Sequence, residues 1–177
     1  FTRDGIGSLI NSTEGVLFAE IAAISNDTSG RWLSLSNGTV ALELALKSLN
    51  IGSGDEVIVP SRSFFGTVSS VVLVGATPVF ADVDNDHGVI SVNTIKNVYT
   101  PKTRAVICVH LGGFPCDMDP IIEFAAKKHV KVIEDCAQAH GAKYKSRSVG
   151  SIGDVGAWSF CQDKIMTTGG EGGMVTT

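Results

Sequence analysis

Apolar positions along the chain fall into short runs separated by breaks rich in glycine, asparagine and serine. The run Glu56–Pro60 (EVIVP) is mostly apolar and β-branched and ends in proline, which predicts a buried strand. Similar runs predict strands over Thr77–Asp84, Arg104–His110, Lys131–Asp135, Val155–Phe160 and Gly173–Thr177. Stretches with helical spacing lie between them. Val40–Leu49 places apolar residues three and four apart among good helix formers. Phe65–Val74 reads as an apolar helix despite its valines, and Ser91 as the N-cap of a short helix ending at Val98. Asp119 as N-cap and Pro120 at the first helical position open a helix running to Lys128. Glu14–Ile24 predicts a further helix within residues 1–30, the least readable part of the chain.

Strands that alternate with helices of this length imply crossover connections. The expected fold class is therefore α/β, a mostly parallel sheet with helices on both faces. The 177 residues suffice for one domain with a real core, and no repeat or linker divides residues 1–177. Composition changes this picture little. The chain is 44% hydrophobic and 18% charged, with a formal net charge of −4. Without a basic run, nucleic acid and membrane surfaces are not the expected partners. No stretch resembles a membrane span or a signal peptide. Cys108, Cys116, Cys136 and Cys161 form no CxxC pair, which argues against zinc and for reduced thiols in a cytoplasmic protein. Both ends read as cut: the first residue is Phe1, and MVTT reads as a strand just beginning.

The chemistry gathers around the predicted strand ends. Ser36, Asn37, Gly38 and Thr39 precede the Val40 helix, where free N–H groups can cradle a phosphate through Gly38, Thr39 and Val40. The same four residues also suit a plain helix cap. Asp135 closes the KVIED strand, at the end where open α/β sheets bind ligands, and Gln138 follows three residues on. An Asp there can pair with a pyridinium nitrogen. Glu134 points to the other side and is given no catalytic role. Ser159 lies five residues before Lys164, and the glycine-rich loop Gly169–Gly173 follows. Lysine in small, apolar surroundings suits imine formation, because desolvation frees the amine lone pair. Phe64 or Phe65 could stack on a flat ring. His110 and His140 read as satisfied structural histidines, and Arg62 and Asp82 have no resolvable role. Gly150, Gly153 and Gly156 give GxxGxxG rather than a dinucleotide fingerprint, and no GxxxxGK[ST] loop occurs. Amine, ring partner and phosphate cradle are the parts of a pyridoxal 5′-phosphate (PLP) site.

Taken together, SNGTVALELAL, GDEVIVPSRSFFGT, GATPVFADVD, VHLGG, VIEDCAQAHGA and GDVGAWSFCQDKIMTTGGEGG resemble the DegT/DnrJ/EryC1/StrS family of PLP-dependent sugar aminotransferases, of fold type I. The resemblance covers roughly residues 33–177, with the motifs in family order. It implies amino transfer, usually from glutamate, to a keto group of a nucleotide-linked sugar in amino-sugar and polysaccharide biosynthesis. It makes Lys164 the Schiff-base lysine, Asp135 the pyridinium partner and Gln138 the neighbour of the phenolic oxygen. Ser159 and the Gly38–Thr39 backbone become phosphate ligands, and Phe64 the stacking aromatic, with Phe65 as the alternative. It also implies a homodimer with sites at the interface and a smaller C-terminal domain missing here, so that 1–177 is the PLP-binding large domain, inactive alone. The rival readings are a PLP-dependent sugar dehydratase of the same fold, which Lys164 argues against, and a noncatalytic PLP-binding regulatory protein.

Overall fold

The computed structural model describes residues 23–24 and 32–177. In chain order these residues form β1 (Ala23–Ile24), β2 (Trp32–Leu35), α1 (Gly38–Ser48), β3 (Glu56–Pro60), α2 (Phe65–Leu73), β4 (Thr77–Ala81) and α3 (Val92–Val98). There follow β5 (Thr103–Val109), α4 (Met118–Lys128), β6 (Lys131–Asp135), β7 (Lys143–Tyr144), β8 (Arg147–Ser148), β9 (Val155–Ser159) and β10 (Gly173–Thr176). A 3-10 turn at Leu111–Gly113 follows β5. One sheet runs in the order β1-β2-β10-β9-β6-β5-β3-β4, while β7 and β8 form a separate hairpin. The block β9-β6-β5-β3-β4 is parallel. Strand β10 runs antiparallel to both β9 and β2, and β1 runs antiparallel to β2.

The two-residue period of a strand sends alternate side chains to opposite faces. Val57, Val59, Ala105, Ile107, Ile133, Val155 and Ala157 join one core with Leu42, Leu44 and Leu46 of α1 and Val71 of α2. Ile58, Val106, Cys108 and Val132 join a second core with Ile95 of α3 and with Met118, Ile121 and Ala125 of α4. The strands are apolar throughout because both faces are covered, as buried parallel strands require. Ile133 and Asp135 thus face α1 and α2, whereas Val132 and Glu134 face the other side.

Strands β3 and β6 have the expected bounds, and Ser91 caps α3 in a reciprocal capping box with Thr94. Other elements differ for local reasons. Strand β4 stops at Ala81, because Asp82 and Asp84 turn their carboxylates onto the N–H groups of Val83 and His87. Asp119 is not the N-cap of α4. The helix opens at Met118 after Asp117, and the Asp119 carboxylate instead binds Lys145 and Arg147 of the β7–β8 hairpin. Pro120 costs nothing there, since first-turn N–H groups have no helical partner. Of the expected Glu14–Ile24 helix, Glu14–Ala22 lies outside the described residues. Ala23 and Ile24 pair with β2 as a strand. No helix among the described residues is long and apolar enough to cross a membrane.

Candidate active site

Asp135 ends β6 and is 6% exposed. The Thr67 hydroxyl donates to one carboxylate oxygen at 2.9 Å and the Ala137 N–H to the other at 3.1 Å. Thr67 lies on the first turn of α2, and its hydroxyl is 2.7 Å from that of Ser63. Burial pushes the Asp135 carboxyl above its ordinary range, and the two donors and the Lys164 charge pull it back only in part. A buried carboxylate with few donors is a place for a cation.

Two helix starts flank it. Asn37 caps α1 by accepting from the Val40 N–H at 3.0 Å. Val40 is therefore removed from the expected phosphate cradle, its donor already being used. The Gly38 and Thr39 N–H groups remain, free by the geometry of a helix start. Gly38 packs against Ser159, the last residue of β9. A Cβ on Gly38 would lie 2.7 Å from the Ser159 Cβ and 3.2 Å from its Oγ, so glycine permits the approach. Thr39 meets the second helix start, since a Cβ on Gly66 would fall 2.6 Å from the Thr39 hydroxyl and 3.0 Å from the Phe64 ring. Phe64 stands at the N-cap of α2, 67% exposed, and Phe65 beside it is 76% exposed. The hydroxyls of Ser159 and Thr39 and two helix dipoles thus converge near Phe64, an arrangement suited to an anion.

Gln138 accepts from the Gly112 N–H through Oε1 at 2.9 Å, which leaves its amide NH2 to donate elsewhere. Lys164 is half-buried in the loop between β9 and β10, with its N–H on the Cys161 carbonyl at 3.0 Å. That loop closes on itself through Phe160 N–H to Gly172 O at 2.7 Å and Thr168 N–H to Phe160 O at 3.1 Å. The Lys164 charge acts on both Asp135 and His140.

His140 is not the satisfied histidine expected. Its ring lies against Trp158 and Phe160, and neither buried ring nitrogen has a hydrogen-bond partner. Burial holds its pKa below the ordinary histidine value, the Ser159 backbone opposes that shift and the Lys164 charge adds to it. Trp158 alternates with Ser159 on β9, which puts its side chain, and His140 against it, on the other face of the sheet from Ser159.

Glu134 occupies the opposite face of β6, as expected. It accepts from His110 Nε2 at 3.0 Å and from the N–H groups of Gly150, Ile152 and Gly153 at 2.9, 2.7 and 2.7 Å. The Cys116 N–H donates to His110 Nδ1, which puts the ring proton on Nε2, toward Glu134. Burial raises the Glu134 pKa, but these donors outweigh it and hold the carboxyl below its ordinary range. The ligand atoms of His110, Glu134 and Cys136 lie within 4.8 Å of one another, yet those of His110 and Glu134 are already used in this network. A cavity of about 430 Å³ between α4 and the start of β6 lies at the opposite end of that strand from Asp135.

The structure joins Asp135 to the Phe64 helix through Thr67, Gly38 to Ser159, and Thr39 to Gly66 and Phe64. It brings Gln138 to the turn after β5. Thr67, Ser63 and Gly112 are the supporting residues that the sequence reading missed. A threonine three positions after Phe64, on the inward face of an apolar helix, was the available signal for Thr67.

Aminotransferases are among the known proteins that this chain resembles. GDP-perosamine synthase of Escherichia coli O157:H7 is 51% identical over 144 residues, 81% of this chain and 39% of its own length. UDP-N-acetyl-3-dehydro-alpha-D-glucosamine 3-aminotransferase of Acidithiobacillus ferrooxidans is 44% identical over 180 residues, 98% of this chain and 48% of its own. The chain thus spans less than half the length of these relatives. The crystal structure of an aminotransferase from Psychrobacter cryohalolentis matches with a TM-score of 0.82 and 63% identity, over 83% of this chain and 37% of that one. A Streptococcus pneumoniae chain assigned as a sugar aminotransferase, in its PLP form, matches with a TM-score of 0.79 and 29% identity, over 98% of this chain and 49% of that one. The α/β fold is the one these PLP-dependent aminotransferases share, fold type I. The sequence model of the DegT/DnrJ/EryC1/StrS aminotransferase family matches residues 21–177, and the chain belongs to that family.

Proposed function

We propose that this chain is the PLP-binding large domain of an aminotransferase that moves an amino group from an amino acid, glutamate, to a keto group of a nucleotide-linked sugar. The observation that carries the reading is Asp135: a buried carboxyl, raised by burial, within reach of the Lys164 charge and beside two helix starts. The residues fit the cofactor. PLP, when bound, supplies an aldehyde to capture amines and a protonated ring that withdraws electrons. Asp135 would hold the proton on the ring nitrogen, and so gain the counter-charge that its own donors do not supply. The Gly38 and Thr39 N–H groups and the Ser159 hydroxyl bind the phosphate. The Gln138 amide NH2 donates to the phenolic oxygen, since Gly112 occupies its Oε1. Phe64, exposed at the start of α2, would cover one ring face. The Lys164 amine would serve as the base that takes the proton from the donor's α-carbon and returns it.

The nucleotide-linked sugar is supported by the names of two relatives. A homodimer is supported by α2, which buries Gly66, Thr67 and Ser70 while exposing Phe65, Val72 and Leu73. A further, smaller domain would accompany this one in the whole protein, and the four unpaired cysteines suit a cytoplasmic setting. The test uses the whole protein with PLP. Wild type should show visible cofactor absorbance that glutamate changes, together with glutamate-dependent amination of a keto sugar. Lys164→Ala should lose both. Release of an oxygen function from the sugar without an amino donor would establish a dehydratase instead.

A further inference from the structure

Two groups of side chains border the site without belonging to it. The first is Arg62, in the loop between β3 and α2. The Ser61 N–H donates to the Ala81 carbonyl at 2.8 Å, which ties this loop to the end of β4. Arg62 then lies across the backbone of Gly88, which has φ +68° and where a Cβ would collide with the guanidinium. No carboxylate pairs with Arg62 among the described residues. The second is His87, whose ring stacks on Phe114 with centroids 4.6 Å apart and planes 12° apart. Both rings remain open to solvent, Phe114 at 46%.

These groups join the cofactor site on both flanks. Arg62 precedes Ser63, which bonds Thr67, which bonds Asp135. Phe114 follows the turn whose Gly112 N–H holds Gln138. The arc therefore runs around the C-terminal ends of β3, β4 and β5, where ligands of open α/β sheets enter. It offers an exposed guanidinium next to an exposed flat stack. A guanidinium fits phosphate oxygens through paired N–H donors. The open face of an aromatic stack fits a planar heterocycle. A molecule with both parts is a nucleoside diphosphate.

We propose that Arg62, His87 and Phe114 form the subsite for the nucleoside diphosphate part of the substrate, Arg62 holding the diphosphate and the His87–Phe114 stack the base. This inference rests on the nucleotide-sugar reading above and assigns residues to it. The subsite is a binding element and does no chemistry.

Calorimetric titration of the PLP-loaded whole protein with UDP, GDP, dTDP and inorganic pyrophosphate tests it. Wild type should bind at least one nucleoside diphosphate more tightly than pyrophosphate. Phe114→Ala should weaken that nucleoside diphosphate roughly 5- to 100-fold and leave pyrophosphate unchanged. Arg62→Gln should weaken both by about tenfold or more, with partial recovery in Arg62→Lys. Circular dichroism checks folding, and Phe114→Leu, which keeps the bulk and removes the π face, replaces the alanine variant if that fails to fold. Undiminished nucleoside diphosphate affinity in Arg62→Gln and in the Phe114 variant overturns the subsite and leaves the aminotransferase reading standing. So does a loss in Arg62→Gln of the glutamate-driven spectral change alone, which would assign the guanidinium to the donor carboxylate. A wild type that binds none of the three nucleoside diphosphates overturns both the subsite and the nucleotide-linked substrate.

Discussion

Glu134 and Asp135 are consecutive residues of one strand. Both are buried carboxylates, and their pKa values move in opposite directions. Glu134 accepts four hydrogen bonds, one from a histidine and three from the loop that leads into β9. Asp135 accepts two, from Thr67 and Ala137. Desolvation presses on both, so the donors decide the sign. The first carboxylate is complete within the fold and serves as the anchor of a loop. The second is incomplete and suits an incoming cation. Strand alternation sends one residue into the loop network and its neighbour to the side of the two helix starts.

The largest expected effect lies on the architectural side. Glu134→Ala strands His110 and three backbone N–H groups in the interior, and should cost about 3–5 kcal/mol of stability in urea denaturation. A loss comparable to a surface substitution would break the claim that this carboxylate anchors the loop. On the chemical side, Asp135→Asn should keep the fold and slow amino transfer by about 30- to 1000-fold, or ~2–4 kcal/mol in the barrier, while cofactor binding falls far less. Near-normal turnover would make Asp135 structural as well. Gly38→Ala, which pushes a methyl into Ser159, should cost about 1–3 kcal/mol of stability and weaken PLP binding. Equal PLP affinity in a cofactor titration would remove the α1 start from the phosphate site.

The smallest effect is on the pH profile of stability, and it separates the two carboxylates by sign. The folded pKa of Glu134 lies below its ordinary 4.5, so its contribution is complete above 4.5 and is lost as pH falls through the folded value. The folded pKa of Asp135 lies above its ordinary 3.8, so cofactor-free protein loses stability as pH rises from 3.8 through the folded value. Glu134→Gln should flatten the acid limb, and Asp135→Asn should remove the loss on the rising side. Stability measured across this range in the two variants checks both signs.

The elements that set this contrast were legible in the sequence because they are long apolar runs with unambiguous periods. EVIVP and KVIED gave strands with correct bounds, and the parity of Glu134 and Asp135 followed. Strand β2 escaped notice, since WLSL offers only two inward apolar positions, Leu33 and Leu35. The end of β4 and the cap of α4 were misplaced because single carboxylates chose partners that local pattern does not reveal: neighbouring N–H groups for Asp82 and Asp84, a distant hairpin for Asp119. The family was legible as an ordered set of motifs. The supports of the candidate site residues were not, because the Thr67–Asp135 and Gly112–Gln138 bonds join positions 68 and 26 residues apart. His140 was not legible either, since its neighbours Trp158 and Phe160 lie 18 and 20 residues away along the chain.

The central claim is that the Asp135 face of β6 is the cofactor site, with Lys164 as its amine. Borohydride reduction of the PLP-loaded whole protein, followed by peptide mapping, tests this most directly. A single covalent pyridoxyl label is expected on the peptide containing Lys164. A label on Lys143 or Lys145 of the β7–β8 hairpin, with Lys164 unmodified, would contradict it.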